Sequence, residues 1–249
     1  SEFFPVDTVL TTGGVVEAVD NHIVVSLDTA TDFCRTEARM LQGNQILDVA
    51  LVASGEHDLA TESFTDANGT DLDAHTADTG ETWTQVSGTQ ILIQTNKAAL
   101  GHQTVYTLSA GATDGYLEAL MGNLSDASTW TATAEFFYRY VDVSNYWNLE
   151  VFGSGNSASI TLIKRVAGVN TTVMSRSITP SIAGPSVTVA VSFIGDIHRV
   201  FVLQTGVWKL YGEFSDSAHN TATIVGIGGV QNSGGVSATM DDLKFYEGG

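Results

Sequence analysis

Residues Thr131 to Val141 read TATAEFFYRYV, and the fold is decided by how they are read. Ala132, Ala134, Phe136, Tyr138 and Tyr140 alternate with Thr133, Glu135, Phe137 and Arg139. That period of two sends successive side chains to opposite faces of a strand. Short segments of the same kind come after it: Tyr146–Phe152, Ser159–Val166, Thr171–Ile178, Ser186–Phe193, His198–Gln204, Val207–Phe214, Ala222–Ile227 and Ala238–Tyr246. Turn-forming runs such as Ser154-Gly155-Asn156, Gly195-Asp196, Thr205-Gly206 and Ser233-Gly234-Gly235 separate them. Many short strands at this spacing predict an all-β chain folded as an antiparallel two-sheet jelly-roll sandwich. Helical spacing is nearly missing; the one stretch that could carry it, Thr36–Leu41, is barely two turns.

The first residues differ. Phe3–Leu10, Val15–Val19, His22–Leu27 and Gln45–Ala53 read as strands, with Gly13-Gly14 and Asp20-Asn21 as turns. The polar run Ser54-Gly55-Glu56-His57-Asp58 marks a break. The expected organisation is a small β-rich N-terminal segment, 1–58, and then a jelly roll, 59–249. A unit of about 60 residues is marginal alone, so its apolar runs Phe3-Phe4 and Ile46–Val52 are expected to dock on a neighbour.

Composition narrows the partners. The chain carries 28 acidic against 10 basic residues, a net charge of −18. Such a surface repels polyanions, which excludes nucleic acid and anionic membranes as charge-driven partners. No apolar run reaches the roughly 18 residues of a membrane helix. Only 15% of residues are charged while 43% are hydrophobic, so the chain can build a core. The single cysteine, Cys34, can form neither an intramolecular disulfide nor a thiolate metal site.

From Glu62 onward the sequence resembles the concanavalin A-like lectin/glucanase fold in its laminin G-like branch. The likeness is carried by Ser63–Thr70 (SFTDANGT), Leu72–Gly80, Trp83–Gly88, Phe137-Tyr138-Arg139 through Asp142, Asn145-Tyr146-Trp147, Lys164-Arg165, Gly168 and Met240–Phe245 (MDDLKF). It implies a domain found in phage structural and bacterial surface proteins. The expectation drawn from it is a non-enzymatic virion protein, a capsid decoration or tail component of a tailed phage, located on the virion surface. Its N-terminal segment would meet other virion proteins, its jelly roll would bind host polysaccharide, and it would form a homo-oligomer. The alternative is a carbohydrate-binding module of a bacterial or archaeal cell-surface protein.

The residues themselves offer little catalysis. Glycanases of this fold, the resemblance implies, place acids two apart on one strand, which shares a face and approaches the roughly 5 Å of a retaining pair. Here that spacing occurs at Glu56/Asp58 and Asp71/Asp73, both in turn-like sequence, while Glu135 and Glu150 have no acid two residues away. No Gly-x-Ser-x-Gly elbow exists, and the six histidines show no metal spacing. No catalytic residue is therefore expected. Glycan binding needs exposed rings beside polar groups. The candidates are Trp147, Tyr146 and Trp208, with Arg139, Asp142 and Asn145, and alternation allows only one of Tyr146 and Trp147 to be core. The turn Asp66-Ala67-Asn68-Gly69 offers hard oxygens for a structural calcium ion. The resemblance implies that the closing strand supplies the distant carboxylate, Asp241 or Asp242.

Overall fold

The computed structural model describes residues 58–124, 131–154, 157–178, 186–231 and 237–247, and before them the backbone of five strands. The chain divides into two compact units, Ser1–His57 and Asp58–Gly249. The division precedes the expected break by one residue because Asp58 already pairs with Tyr246 of the closing strand.

In the first unit, β1 (Thr8–Leu10), β4 (Cys34–Gln42) and β5 (Gln45–Val52) form one sheet in the order β1-β4-β5. β2 (Val15–Val19) pairs with β3 (His22–Ser26). Thr36–Leu41 is a strand, with Thr36 opposite Leu51 and Leu41 opposite Ile46. Two turns are too few to stand as a helix against a hairpin partner. The expected strand from Phe3 is seen over Thr8–Leu10; its earlier residues and both expected turns lie outside the described residues.

The second unit is the two-sheet sandwich. Its strands are β6 (Asp58–Glu62), β7 (Thr84–Ser87), β8 (Leu92–Ile93), β9 (Ala98–Ala99), β10 (Thr104–Ser109) and β11 (Gly115–Gly122). They continue with β12 (Thr131–Asp142), β13 (Asn145–Ser154), β14 (Ser157–Val166), β15 (Val169–Ser177) and β16 (Val187–Ile194). The last four are β17 (Ile197–Gln204), β18 (Val207–Ser215), β19 (Ile224–Gln231) and β20 (Thr239–Glu247). A seven-stranded sheet runs β15-β14-β13-β12-β19-β10-β7. An eight-stranded sheet runs β18-β17-β16-β11-β20-β9-β8, with β6 also on β20.

One face of each sheet turns inward. Phe136, Tyr138, Trp147 and Leu149 of one meet Leu117, Val191, Phe193 and Phe245 of the other in a single buried cluster. An aromatic contact crosses the gap, Tyr138 stacking on Phe193 at 4.6 Å, and Phe193 continues along its own sheet to Phe245 at 5.9 Å. Fully burying a large apolar side chain stabilises by roughly 1.5–3 kcal/mol, so this layer is the main source of stability.

The alternation read from the sequence along β12 breaks once. The pairing of β12 with β13 and β19 slips after Tyr138 and Phe137, and Arg139 sits there with φ +48°. This irregularity, a bulge in β12, shifts the register by one residue against β19 and by two against β13, and the facing changes at Arg139. Arg139 therefore turns inward and Tyr140 outward, the opposite of the expected pattern.

Candidate functional site

The bulge assembles a surface on the outer face of the seven-stranded sheet. Tyr140 lies parallel to Tyr146, ring centres 5.7 Å apart, and Phe137 meets Tyr146 edge-on at 5.2 Å. The Arg165 guanidinium covers Tyr146 at 5.7 Å, while its Nη1 donates to Asn170 Oδ1 at 3.1 Å. Phe152, on the same face of β13, is exposed. On β19, Gly228 lies opposite Glu135 and Gly226 opposite Phe137. A Cβ at Gly228 would come within 2.8 Å of the Phe137 ring, so glycine there lets the ring lie across the strand.

Two acids lie among these rings. Glu135 of β12 is directly opposite Glu150 of β13, and directly opposed residues have Cβ atoms about 4.5–5.5 Å apart. Asn148, one position along that face, donates from Nδ2 to Glu150 Oε1 at 3.2 Å. Glu135 is only 7% exposed. Burial, reinforced by the Glu150 charge, pushes its carboxyl up to about 8. Burial raises Glu150 as well. The Tyr146 hydroxyl is raised by burial, with both glutamates adding to the effect against Arg165. The Asn148 carbonyl oxygen and the Tyr140 hydroxyl are buried without a hydrogen-bond partner. Buried polar atoms are nearly always paired, so unpaired ones beside a surface mark where an external partner fits.

The expected glycan ligands scatter. Tyr146 does face outward, but Trp147 is fully buried, its indole donating to Ala218 O at 3.0 Å against His198 at 4.3 Å. A ring held between the sheets cannot stack on a sugar. Arg139 is also fully buried, donating to Asp114 Oδ1 at 3.0 Å and Gly195 O at 2.5 Å. It closes one end of the sandwich beside His198, whose imidazole burial depresses to about 4. Neutral His198 donates from Nε2 to Asp216 O at 2.9 Å and accepts from the Tyr138 hydroxyl at 3.0 Å. Asp142 and Asn145 build the β12–β13 turn, with Asn145 Nδ2 donating to Asp142 Oδ1 at 3.0 Å. Trp208 lies on the other sheet, edge-on to Tyr116 at 6.4 Å.

The expected calcium ligands do not fit a shared ion. Asp66 is taken up by His75 Nδ1 at 3.1 Å and by its own turn, Ala67 N at 2.6 Å. Asn68 Oδ1 accepts from Thr95 N at 2.7 Å. Gly69, at φ +91°, donates its N–H to Ile93 O at 2.8 Å. Asp241 is neutralised by Lys97 at 2.9 Å, and Asp242 is exposed with φ +50°. A lysine thus stands where the distant carboxylate was to face a cation. Among the described residues, no three acidic, histidine or cysteine side chains converge on a metal position.

The acid pairs read two apart serve the fold. Asp71 accepts from Tyr106 Oη at 2.8 Å and from Gln90, capping the short 3-10 turn Leu72–Ala74. Asp58 lies in β6, and Glu56 lies outside the described residues. A cavity of about 680 Å³ on the eight-stranded side is lined by Gln94, Lys97, Leu120, Asn123 and Thr239 among others, with no aromatic ring. The acid–aromatic face is the stronger site.

No protein-family model and no curated protein matches the sequence. Among solved structures, the GH43 protein BlXynB of Bacillus licheniformis aligns at 14% identity and TM-score 0.53, covering 94% of this chain and 46% of that one. The fold is a concanavalin A-like jelly roll. The carbohydrate-binding module CBM66 of Bacillus subtilis aligns at 14% identity and TM-score 0.48, over 66% of this chain and 95% of that module. The CBM2 module of the evolved Dit of Lactobacillus casei BL23 phage J-1 aligns at 10% identity and TM-score 0.49, over 75% of this chain and 95% of that module. At such identities the likeness of this jelly roll to each is one of fold.

Proposed function

We propose that the chain is a non-enzymatic glycan-binding protein, and that the outer face of the seven-stranded sheet is where it holds a saccharide. The observation that carries the reading is the acid–amide row Glu135, Asn148 and Glu150 beside the exposed Phe152 ring and the half-buried Tyr146, with the buried Phe137 and Tyr140 rings backing them. Rings offer apolar faces to sugar C–H groups, and carboxyl and amide groups accept from and donate to hydroxyls. Hydrolysis is disfavoured although the acids are opposed. A retaining pair needs one carboxyl held ionised as nucleophile beside a protonated acid. No described basic side chain is ion-paired to either glutamate to hold it charged.

A glycan array probed with the full chain tests the reading. Tyr146→Ala and Glu150→Gln are expected to weaken binding of any positive glycan at least tenfold, with Trp208→Ala within twofold of the parent. Binding lost only in Trp208→Ala would move the site to the other sheet. Release of reducing sugar from that glycan would overturn the non-enzymatic reading.

Display on a virion, as a capsid decoration or tail component, is the setting we propose, with Ser1–His57 docking on other virion proteins and copies assembling as a homo-oligomer. The separate small unit and the strongly acidic surface support it. A chain lacking residues 1–57 is expected to keep its jelly roll and lose incorporation into particles. Undiminished incorporation would overturn docking through Ser1–His57, and failure of the full chain to enter particles would favour the alternative, a carbohydrate-binding module on a cell surface.

A further inference from the structure

We propose that Glu135, Asn148 and Glu150 form a divalent-cation site of the calcium type. The two carboxylates project from directly opposed positions of β12 and β13, on one face of the sheet. Asn148 lies on that same face, and its side chain reaches Glu150 at 3.2 Å. It is 5% exposed, and its carbonyl oxygen has no hydrogen-bond partner. The amide thus meets the acids with its nitrogen while its oxygen stays unused. A half-turn of the amide plane, which leaves the side-chain shape unchanged, points that oxygen at the acids.

The chemistry then matches a hard cation. Two carboxylates, each able to bind through one or both oxygens, and one amide oxygen supply three to five of the six to eight oxygens that calcium takes. Water or ligand hydroxyls complete the shell. No thiolate or imidazole is part of the group, which disfavours zinc and copper. Five bases are paired elsewhere: Lys97 with Asp241, Lys164 with Asp216, Arg199 with Glu213, Lys244 with Glu118 and Arg139 with Asp114. Arg165, on the acids' own face, donates to Asn170 and lies over Tyr146, and it makes no ion pair with either glutamate. A buried acid, Glu135, left beside the half-buried Glu150 without such a partner is costly unless a proton or a cation joins them. The site differs from the Asp66 turn in every donor, and it stands whether or not a glycan binds.

Calorimetric titration of calcium chloride into the chelator-treated full chain at pH 8 and 0.15 M salt tests it, alongside melting with and without the ion. A single saturable site is expected, with an upward shift of the melting midpoint. Glu135→Gln and Glu150→Gln should each weaken that site at least tenfold, and Asp241→Asn should leave it unchanged. The glutamine variants keep the shape and remove a buried charge, so they should melt higher than the parent without calcium yet gain nothing from it. Binding should also weaken at pH 5, where protons compete for the same oxygens. Absence of a saturable site overturns the proposal. So does a calcium response equal in parent and glutamine variants, which would mean diffuse attraction to an acidic surface.

Discussion

The two outer faces of the sandwich treat their acids in opposite ways. On the eight-stranded sheet, Glu118 is met by Lys244 at 3.5 Å, Glu213 by Arg199 at 2.6 Å and Asp241 by Lys97 at 2.9 Å. Its rings, Tyr116 with Phe201, Trp208 and Tyr246, pack on one another at 6.1–6.5 Å. On the seven-stranded sheet, Glu135 and Glu150 face each other, and the nearby Arg165 reaches Asn170 and the Tyr146 ring with its Nε buried and unpaired. With 28 acids and 10 bases, pairing must be rationed. Glu135 and Glu150 are among the many acids that receive no base, and as a buried or half-buried pair they lie where a ligand can supply the missing charge or hydrogen bonds.

The largest effect should come from neither face. Trp147→Ala removes a fully buried indole that contacts His198 and Tyr138, and is expected to cost roughly 3–5 kcal/mol. In a unit of this size the midpoint would fall by about 10 °C. Chemical denaturation checks it: a loss below about 1 kcal/mol would return Trp147 to the surface and to sugar stacking.

Next comes the pH dependence of the acid face. Glu135 is raised from 4.5 to about 8, so between those values the native state holds a proton that the unfolded chain has released. Stability tied to it is complete below about 4.5 and is lost as pH rises through about 8. In chelator, Glu135→Gln should flatten that slope and be the more stable protein above pH 8, by an amount on the order of a few kcal/mol. Parallel pH–stability curves for parent and variant would mean the pair is open to water, and the contrast between faces would collapse.

His75 falls in an overlapping window, with a smaller amplitude. Burial alone would depress its imidazolium, but the bond to Asp66 and the charge of Glu62 carry it above 6.5. It bridges Glu62 at 3.1 Å and Asp66 at 3.1 Å. Its contribution is whole below 6.5 and lost as pH climbs through the raised value. His75→Gln should cost about 1 kcal/mol at pH 6. A cost that instead grows at pH 9 would reverse the assignment of charge.

Much of the fold was legible from alternation alone. All nine segments read from Thr131 onward are strands, and Val15–Val19 matches residue for residue. Strands β10 and β11 went unread: Gly115–Gly122 alternates buried and half-buried in the structure, but apolar Tyr116 and Leu120 at the outward positions hide the period of two in the sequence. The acid pair is a different matter. Asp142 pairs with Asn145 across the turn, and an unbroken ladder counted back from them would set Glu150 opposite Phe137. The bulge at Arg139 shifts the register by two and brings Glu135 there instead. That shift depends on the buried anchors Arg139 finds in Asp114 and Gly195, on other strands' turns, which no local pattern records.

The smallest effect belongs to the paired face, and its sign carries the argument. Glu118 pairs with Lys244, whose side chain is 42% exposed. Exposed ion pairs are worth about 0–1 kcal/mol. Glu118→Gln should therefore destabilise slightly near pH 7, and its difference from the parent should shrink as salt is added, because screening already weakens the pair. Glu135→Gln should do the reverse, gaining stability at high pH with little response to monovalent salt, since buried charges are poorly screened. If both variants lost stability together and both responded to salt, the two faces would be one kind of surface. A stabilising Glu135→Gln beside a mildly destabilising Glu118→Gln would show that the buried acid of the seven-stranded face is held at a cost to stability while the paired acid of the other face contributes to it, which is what a retained binding site requires.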